Sequence, residues 1–158
     1  MILGIDLGFT RNNPLAIAGI TFADVYPKHV TSKCLAPPDA LKWHEAVDWV
    51  LEAADDEISR LCRIYKVSLI AYEYPHLEKN PQTPIKLAHL GGGIRLIARR
   101  SSVECIDIQP QHAKKAATGR GNATKADMIR AAFIRFGKKL PKDEADAAWI
   151  AVAAAIIT

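Results

Sequence analysis

The chain has no apolar run near the roughly 20 residues that a bilayer-crossing helix needs, so no membrane partner is expected. It also lacks a basic, apolar leader ending in a cleavage site, so no signal peptide is expected. Cysteines are few: Cys34, Cys62 and Cys105, odd in number and far apart. That spacing suggests neither a disulfide framework nor a zinc site; buried free thiols in a reducing cytoplasm are expected. No repeat, low-complexity tract or long linker divides the 158 residues, so a single domain over 1–158 is expected, large enough for its own core.

What the chain has is an uneven charge. The formal net charge is only +4, but residues 111–142 carry nine Lys or Arg against one acid, Asp127. The remainder is therefore net acidic. A basic stretch beside acidic residues suits a polyanion drawn towards a cation-loaded site. Taken alone, a charge run of this size is more often a solvated helical face.

The pattern along the chain predicts an α/β order. Strands are expected at Ile2–Asp6, Leu15–Phe22 and His29–Leu35, the first two separated by the turn signal Arg11-Asn12-Asn13-Pro14. Pro37-Pro38-Asp39 should open a helix whose apolar positions Val47, Val50, Leu51, Ala54, Ile58, Leu61 and Tyr65 recur at three and four, with an acidic opposite face. A buried strand Val67–Glu73, a helix Ile85–Arg99 and a strand Val103–Ile108 follow, then helices over Pro110–Ala117, Lys125–Phe136 and Asp143–Ile157. Thr124 and Asp127 have the spacing of a helix-capping box. Three short strands fit an antiparallel meander, and helix-linked strands fit parallel additions. The expected architecture is a mixed five-stranded sheet with helices on both faces. In it, the first and fourth strands can lie side by side.

Four carboxylates stand out. Asp6 and Glu73 each close an apolar strand, and Asp143 and Asp146 share one face at the start of an apolar, buried helix. Singly, each has a dull explanation: a turn residue, a strand-end acid, or a helix-N-terminal acid favoured by the macrodipole. Together they could form the negative pocket of a two-metal site, which needs several oxygen ligands. Glu144 is a possible substitute ligand, though the i,i+3 spacing favours Asp143 beside Asp146. Lys114 and Lys125 flank a loop with two glycines, Thr118-Gly119-Arg120-Gly121-Asn122, where backbone could approach a phosphate closely.

Four segments in order carry a more specific signal: Gly4-Ile5-Asp6-Leu7-Gly8, Ile70-Ala71-Tyr72-Glu73, Lys114 to Lys125, and Asp143-Glu144-Ala145-Asp146-Ala147-Ala148-Trp149-Ile150-Ala151. With these the chain resembles the RuvC family of Holliday-junction resolvases, endonucleases of RNase H-like fold, nearly end to end. The resemblance implies that Asp6, Glu73, Asp143 and Asp146 bind two Mg²⁺, with Mn²⁺ able to substitute, and that Lys114 and Lys125 act on the scissile phosphate. It implies a four-way junction or other branched DNA as partner, with Lys115, Arg120 and Asn122 as further DNA contacts. It also implies a homodimer built through the helix from about Ile85 to Arg99, and a bacterial or phage-infected cytoplasm. Gly91-Gly92-Gly93 would permit close approach in that interface. Two departures widen the expectation from strict junction selectivity to a looser branched-DNA nuclease. Arg11-Asn12-Asn13-Pro14 is closer to viral relatives, and the family's aromatic wedge position is His76, with Tyr74 nearby as a substitute. Rival readings are another RNase H-fold nuclease acting on RNA–DNA hybrids, an actin-like or sugar-kinase-like ATPase, and a non-catalytic junction binder.

Overall fold

A computed structural model describes residues 1–24, 26–75 and 82–158. Five strands form one sheet: β1 (Ile2–Asp6), β2 (Leu15–Ala23), β3 (Tyr26–Leu35), β4 (Leu69–Glu73) and β5 (Glu104–Ile108). Their order is β3-β2-β1-β4-β5, with β1–β2 and β2–β3 antiparallel and β1–β4 and β4–β5 parallel. The helices are α1 (Trp43–Ile64), α2 (Gln82–Arg100), α3 (Pro110–Thr118), α4 (Lys125–Phe136) and α5 (Lys142–Ile157). The expected mixed sheet is what forms. No helix among the described residues is long and apolar enough to cross a membrane.

The period of two along each strand sorts its side chains onto the two faces. Leu3, Ile5 and Leu7 of the first strand segment, with Ile70 and Tyr72 of β4, pack against α1 and α2. Ile2 and, from β4, Leu69 and Ala71 belong to the opposite layer with α5. By the same parity Gly4 and Asp6, and Glu73 beyond Ala71, belong to the α5 side. Burial on both faces explains why β1 and β4 are almost wholly apolar until their terminal acids.

Gly4 sets how closely α5 can lie. A Cβ there would stand 1.9 Å from the Ala147 carbonyl oxygen and 2.6 Å from the Ala151 nitrogen, so only glycine admits the helix backbone at this distance. The small residues of α5 serve the same approach: Ala145, Ala147, Ala148, Ala151, Ala153 and Ala154 are all buried. Trp149 is the large exception, and its indole Nε1 donates to the Met128 carbonyl at 3.2 Å, tying α5 to α4.

Several boundaries differ from expectation. α1 begins at Trp43, not at Pro37-Pro38-Asp39, because Ala40 takes a left-handed φ of 72° and the first turn is closed later, where the Glu45 carboxylate accepts from the Lys42 backbone N–H at 2.7 Å. β3 begins three residues early, at Tyr26, and α2 begins three residues early, at Gln82. The far face of α1 is not uniformly solvated: Glu57 is 5% exposed and is held by Arg60 at 2.6 Å and by Lys33 of β3 at 3.3 Å. The three cysteines are unpaired as expected, but half-buried. Burial pushes the Cys34 thiol up to about 12 and the Cys105 thiol up to about 11. In α2, Gly91 faces the Tyr72 ring and Gly93 faces Leu51, so of the three glycines only Gly92 meets open space. The expected close approach by all three is thus reduced to one position.

Candidate active site

β1 and β4 are parallel neighbours, pairing Ile5 with Tyr72. The next residue on each strand is the acid, so Asp6 and Glu73 leave adjacent strand ends on the same face. α5 crosses that face with its N-terminus at the same end of the sheet, which brings Asp146 to the pair. Lys114 near the middle of α3 and Lys125 at the first position of α4 complete the walls. Asp6, Glu73, Asp146, Lys114 and Lys125 line one cavity of about 640 Å³. Asn13, Thr83 and Leu87 line it too. Sequence reading missed these three; Asn13 was visible only as part of a turn signal.

The electrostatics are those of acids crowded together. Burial holds the Asp6 carboxyl well above the usual carboxylate range, reinforced by the negative charges of Glu73 and Asp146 and opposed by Lys125. Burial likewise raises Glu73, with Asp146 adding and Lys125 and Lys114 opposing. Asp146 is raised by burial against the pull of Lys125, whose Nζ stands 3.5 Å from its Oδ2. Burial pulls the Lys125 ammonium down, but Asp146, Asp6 and Asp143 outweigh it and the net shift is upward.

Asp143 is 7% exposed, one turn before Asp146. Its Oδ1 accepts no hydrogen bond and has only the Lys142 ammonium 3.5 Å away. Its charge acts on Asp6, Asp146 and Lys125. Glu144 turns the other way, towards β3, where its carboxylate accepts from the Ser32 hydroxyl. Asp143 and Glu144 are consecutive and so leave the helix in different directions, whereas Asp143 and Asp146, at i,i+3, share a face.

An unsatisfied buried oxygen on Asp143, which is outside the cavity lining but whose charge acts on Asp6 and Asp146, fits a hard divalent cation, which takes oxygen ligands. Among the described residues no cysteine or histidine lines the cavity, so the donor set does not resemble a zinc site. Among the described residues no three such groups already surround a single ion position; Lys125 supplies a counter-charge to Asp146 and Lys142 one to Asp143, each at 3.5 Å.

The other expected contacts are placed less centrally. Lys115, Arg120 and Asn122 are exposed and outside the cavity wall. Gly119 ends α3 with φ 77°, and the Thr118 hydroxyl accepts from the Arg120 N–H at 3.2 Å, which shapes the connection between the two lysine-bearing helices. Thr124 caps α4: its hydroxyl accepts from the Asp127 N–H at 3.2 Å, and the Asp127 carboxylate accepts from the Thr124 N–H at 3.0 Å. That capping box fixes the start of α4 beside Lys125. Tyr74 is 46% exposed and lines a small cleft with Asp6 and Glu73. His76 lies outside the described residues.

A mixed sheet whose first and fourth strands end in adjacent carboxylates, with a helix bearing two further acids laid over them, defines the RNase H-like class. The family model described as crossover junction endodeoxyribonuclease RuvC matches residues 2–155. The chain belongs to that family. A relative so named from Brachyspira hyodysenteriae is 30% identical over 152 residues, covering 96% of this chain and 91% of the relative. One from Pseudothermotoga lettingae is 27% identical over 156 residues, covering 97% and 91%. The solved structure of T. thermophilus RuvC in complex with Holliday junction substrate superposes with a TM-score of 0.82 at 21% identity, covering 99% of this chain and 93% of that one. The yeast mitochondrial Holliday junction resolvase superposes with a TM-score of 0.64 at 13% identity, covering 96% and 76%.

Proposed function

We infer that this chain is a metal-dependent endonuclease that resolves Holliday junctions by hydrolysing phosphodiester bonds, with Asp6, Glu73, Asp146 and Asp143 as its metal ligands. The observation that carries this reading is the meeting of Asp6, Glu73 and Asp146 with Lys114 and Lys125 in one cavity. Bound there, two Mg²⁺ or Mn²⁺ ions would neutralise the acids, lower the pKa of an attacking water and offset charge on the leaving oxygen. The acids supply fixed oxygen ligands from the ends of rigid elements. Lys114 and Lys125 hold the phosphate and steady the charge that grows on it during displacement. Lys125 serves the acids in the absence of DNA, through its 3.5 Å approach to Asp146, and is placed to turn to a phosphate when one enters. Asn13 and Thr83 present neutral polar groups at the cavity wall.

The test is cleavage of a synthetic four-way junction beside flaps, forks, linear duplex and RNA–DNA hybrids. Cutting of the junction in Mg²⁺ or Mn²⁺ is expected, with Ca²⁺ supporting binding but little cutting, because its coordination is looser and larger. Strong cleavage in EDTA would overturn the metal reading, and preference for hybrids would place the chain with a different nuclease of this fold.

Lys114→Ala and Lys125→Ala are each expected to slow single-turnover cleavage and weaken junction binding. Each should also reduce the slope of log affinity against log salt by about one unit, as loss of a phosphate contact requires. Arginine should rescue only in part, since its planar fork places charge differently. Wild-type rates and an unchanged salt slope in both alanine variants would return these lysines to a solvated helix connection.

Two opposed strands require two active sites, which a symmetric homodimer supplies. α2 carries the surface for it: Ile85 and Leu96 are 58% and 59% exposed, and Gly92 between them meets open space. These positions share one helix face. A dimer is expected in analytical ultracentrifugation at micromolar concentration, and Leu96→Asp is expected to sediment as a monomer that no longer makes paired incisions. A wild-type monomer with full junction cleavage would refute this.

A further inference from the structure

The first turn of α5 sends one acid towards the site and one away from it. The charge of Asp143 acts on Asp6 and Asp146, while the Glu144 carboxylate accepts from the Ser32 hydroxyl on β3. Glu144 is no part of the cavity wall that Asp6, Glu73 and Asp146 share. We propose that Glu144 is a positioning residue: anchored on β3, it fixes the rotation of the first turn of α5 and so holds the Asp143 carboxylate where a divalent cation can take it. The proposal rests on the metal-ligand reading above and adds to it a residue that touches neither cation nor DNA.

Helix mechanics is the first argument. The leading N–H groups of a helix have no partner within it, so a first turn frays unless something holds it. α5 follows Pro141, which makes no side-chain cap, and its first intrahelical bond runs from the Ala145 N–H to the Pro141 carbonyl at 2.9 Å. Asp146 stands beyond that turn, where the helix's own bonds hold the backbone. Asp143 stands within it. The buried side chain of Leu140 fixes the chain just before α5 begins. Consecutive residues leave a helix about 100° apart. Asp143 can therefore face the other acids only while Glu144 points well to one side, and fixing Glu144 fixes Asp143.

β3 supplies a matching anchor. Ser32 and Cys34 flank the exposed Lys33, and they pair with Ala18 and Ala16 of β2, which are fully buried in the layer that α5 covers. Small residues on β2 leave room for a long side chain of α5 to pass to the next strand, and aspartate would be one methylene too short. Cys34 meets the same carboxylate through its thiol. Glu144 is thus held from two positions on one face of one strand. The need for such an anchor lies at Asp143, whose Oδ1 is buried without a hydrogen bond. An atom in that state costs free energy while no cation is bound. Fraying of the first turn would relieve the cost by giving Asp143 to water. The bonds to Glu144 oppose that escape and keep the ligand in place before a cation arrives. Partners outside the ligand shell commonly set metal affinity in this way.

The experiment measures Mn²⁺ binding to the full, DNA-free chain by titration calorimetry, well below the melting temperature. Ser32→Ala/Cys34→Ala removes both donors and leaves the charge of Glu144 in place. Glu144→Gln removes the charge and leaves an oxygen that can accept from the same donors. The double variant is expected to bind Mn²⁺ about tenfold more weakly than the wild type, the scale of a lost partner outside the ligand shell. Glu144→Gln is expected to bind close to the wild type. In an Asp143→Asn background the double variant should cost nothing further, since coupled changes do not add. A merely structural contact would lower the melting temperature in EDTA and leave Mn²⁺ affinity unchanged, and that result would overturn the proposal. Weak binding by Glu144→Gln beside unchanged binding by the double variant would overturn it too, making Glu144 a ligand or a plain charge. An equal loss with and without Asp143→Asn would mean that the anchor does not act through Asp143. If the wild type bound no Mn²⁺, the metal-ligand reading itself would fail, a result distinct from any difference among the variants.

Discussion

Asp6→Asn and Asp146→Asn are each expected to lower single-turnover junction cleavage by on the order of a thousandfold or more while leaving junction affinity intact or tighter. A mixed amide and carboxylate set holds a divalent cation poorly, and the loss of cation-assisted hydrolysis accounts for that scale. Binding is spared because each change removes a negative charge from a surface that meets phosphate. The same substitutions should stabilise the cation-free protein at neutral pH. Asp6, Glu73 and Asp146 are all raised above the ordinary carboxylate range by burial and by one another. A group raised in the folded state costs nothing below its unfolded pKa, where it is protonated in both states. The cost grows as pH rises from there and is complete above the folded pKa. In EDTA, the melting temperature of Asp6→Asn should therefore exceed that of the wild type by more at pH 7 than at pH 4, and Mg²⁺ should raise the wild type above its own EDTA value. Near-wild-type cutting by either variant would remove that residue from the ligand set; equal melting temperatures at pH 7 in EDTA would show that the acids do not repel one another as their crowding requires.

Much of this site was visible in the chain because strand parity and helix spacing are local rules. An apolar run that ends in an acid places that acid at a sheet end, and i,i+3 on a buried helix puts Asp143 and Asp146 on one face. The adjacency of β1 and β4 followed from topology, and it carries Asp6 to Glu73. What sequence did not reveal depends on distant approach. Thr83 reaches the cavity because α2 starts three residues earlier than the expected Ile85, at Gln82, and Leu87 lies one turn further along the same helix. Asn13 reaches it because the Thr10–Asn13 turn folds back on itself, with Thr10 and Asn13 exchanging backbone hydrogen bonds at 3.1 and 3.2 Å. The three glycines of α2 look alike in sequence, yet two are used inside the fold, against Tyr72 and Leu51. A groove lined by Tyr74, Ala88, Arg95 and Gln109 had no signal at all, since its walls come from the end of β4, α2, β5 and the start of α3. Glu57 shows the converse: an acid that reads as solvated is buried because Lys33, on a strand 24 residues earlier, reaches it.

Gly4→Ala is the second substitution with a large expected effect, and it joins fold to site. The residue reads as part of a common Gly-Ile-Asp motif, but its reason is steric. The added methyl would stand 1.9 Å from the Ala147 carbonyl oxygen, far inside contact distance, and both partners are backbone in regular structure. No rotamer change can relieve that, so β1 and α5 must separate. Overpacking of a close-packed interior costs about 1–3 kcal/mol and more where backbone must move. For a chain of this size, about 3 kcal/mol lowers the melting temperature by on the order of 10 °C. α5 carries Asp143 and Asp146, and β1 ends two residues on at Asp6. The same displacement therefore pulls the helix acids from the strand acids, and cutting should fall further than the unfolded fraction alone explains. The discriminating measurement is Mg²⁺ dependence of cleavage at 10 °C, well below the expected transition, beside circular dichroism. A folded Gly4→Ala protein should need more Mg²⁺ for half-maximal rate and reach a lower plateau. A matched control is Gly121→Ala, whose added methyl meets nothing nearer than the Gln111 Cβ at 3.5 Å and should leave the melting temperature nearly unchanged. Wild-type melting and wild-type Mg²⁺ dependence in Gly4→Ala would mean that α5 does not rest on β1 at the distance seen here.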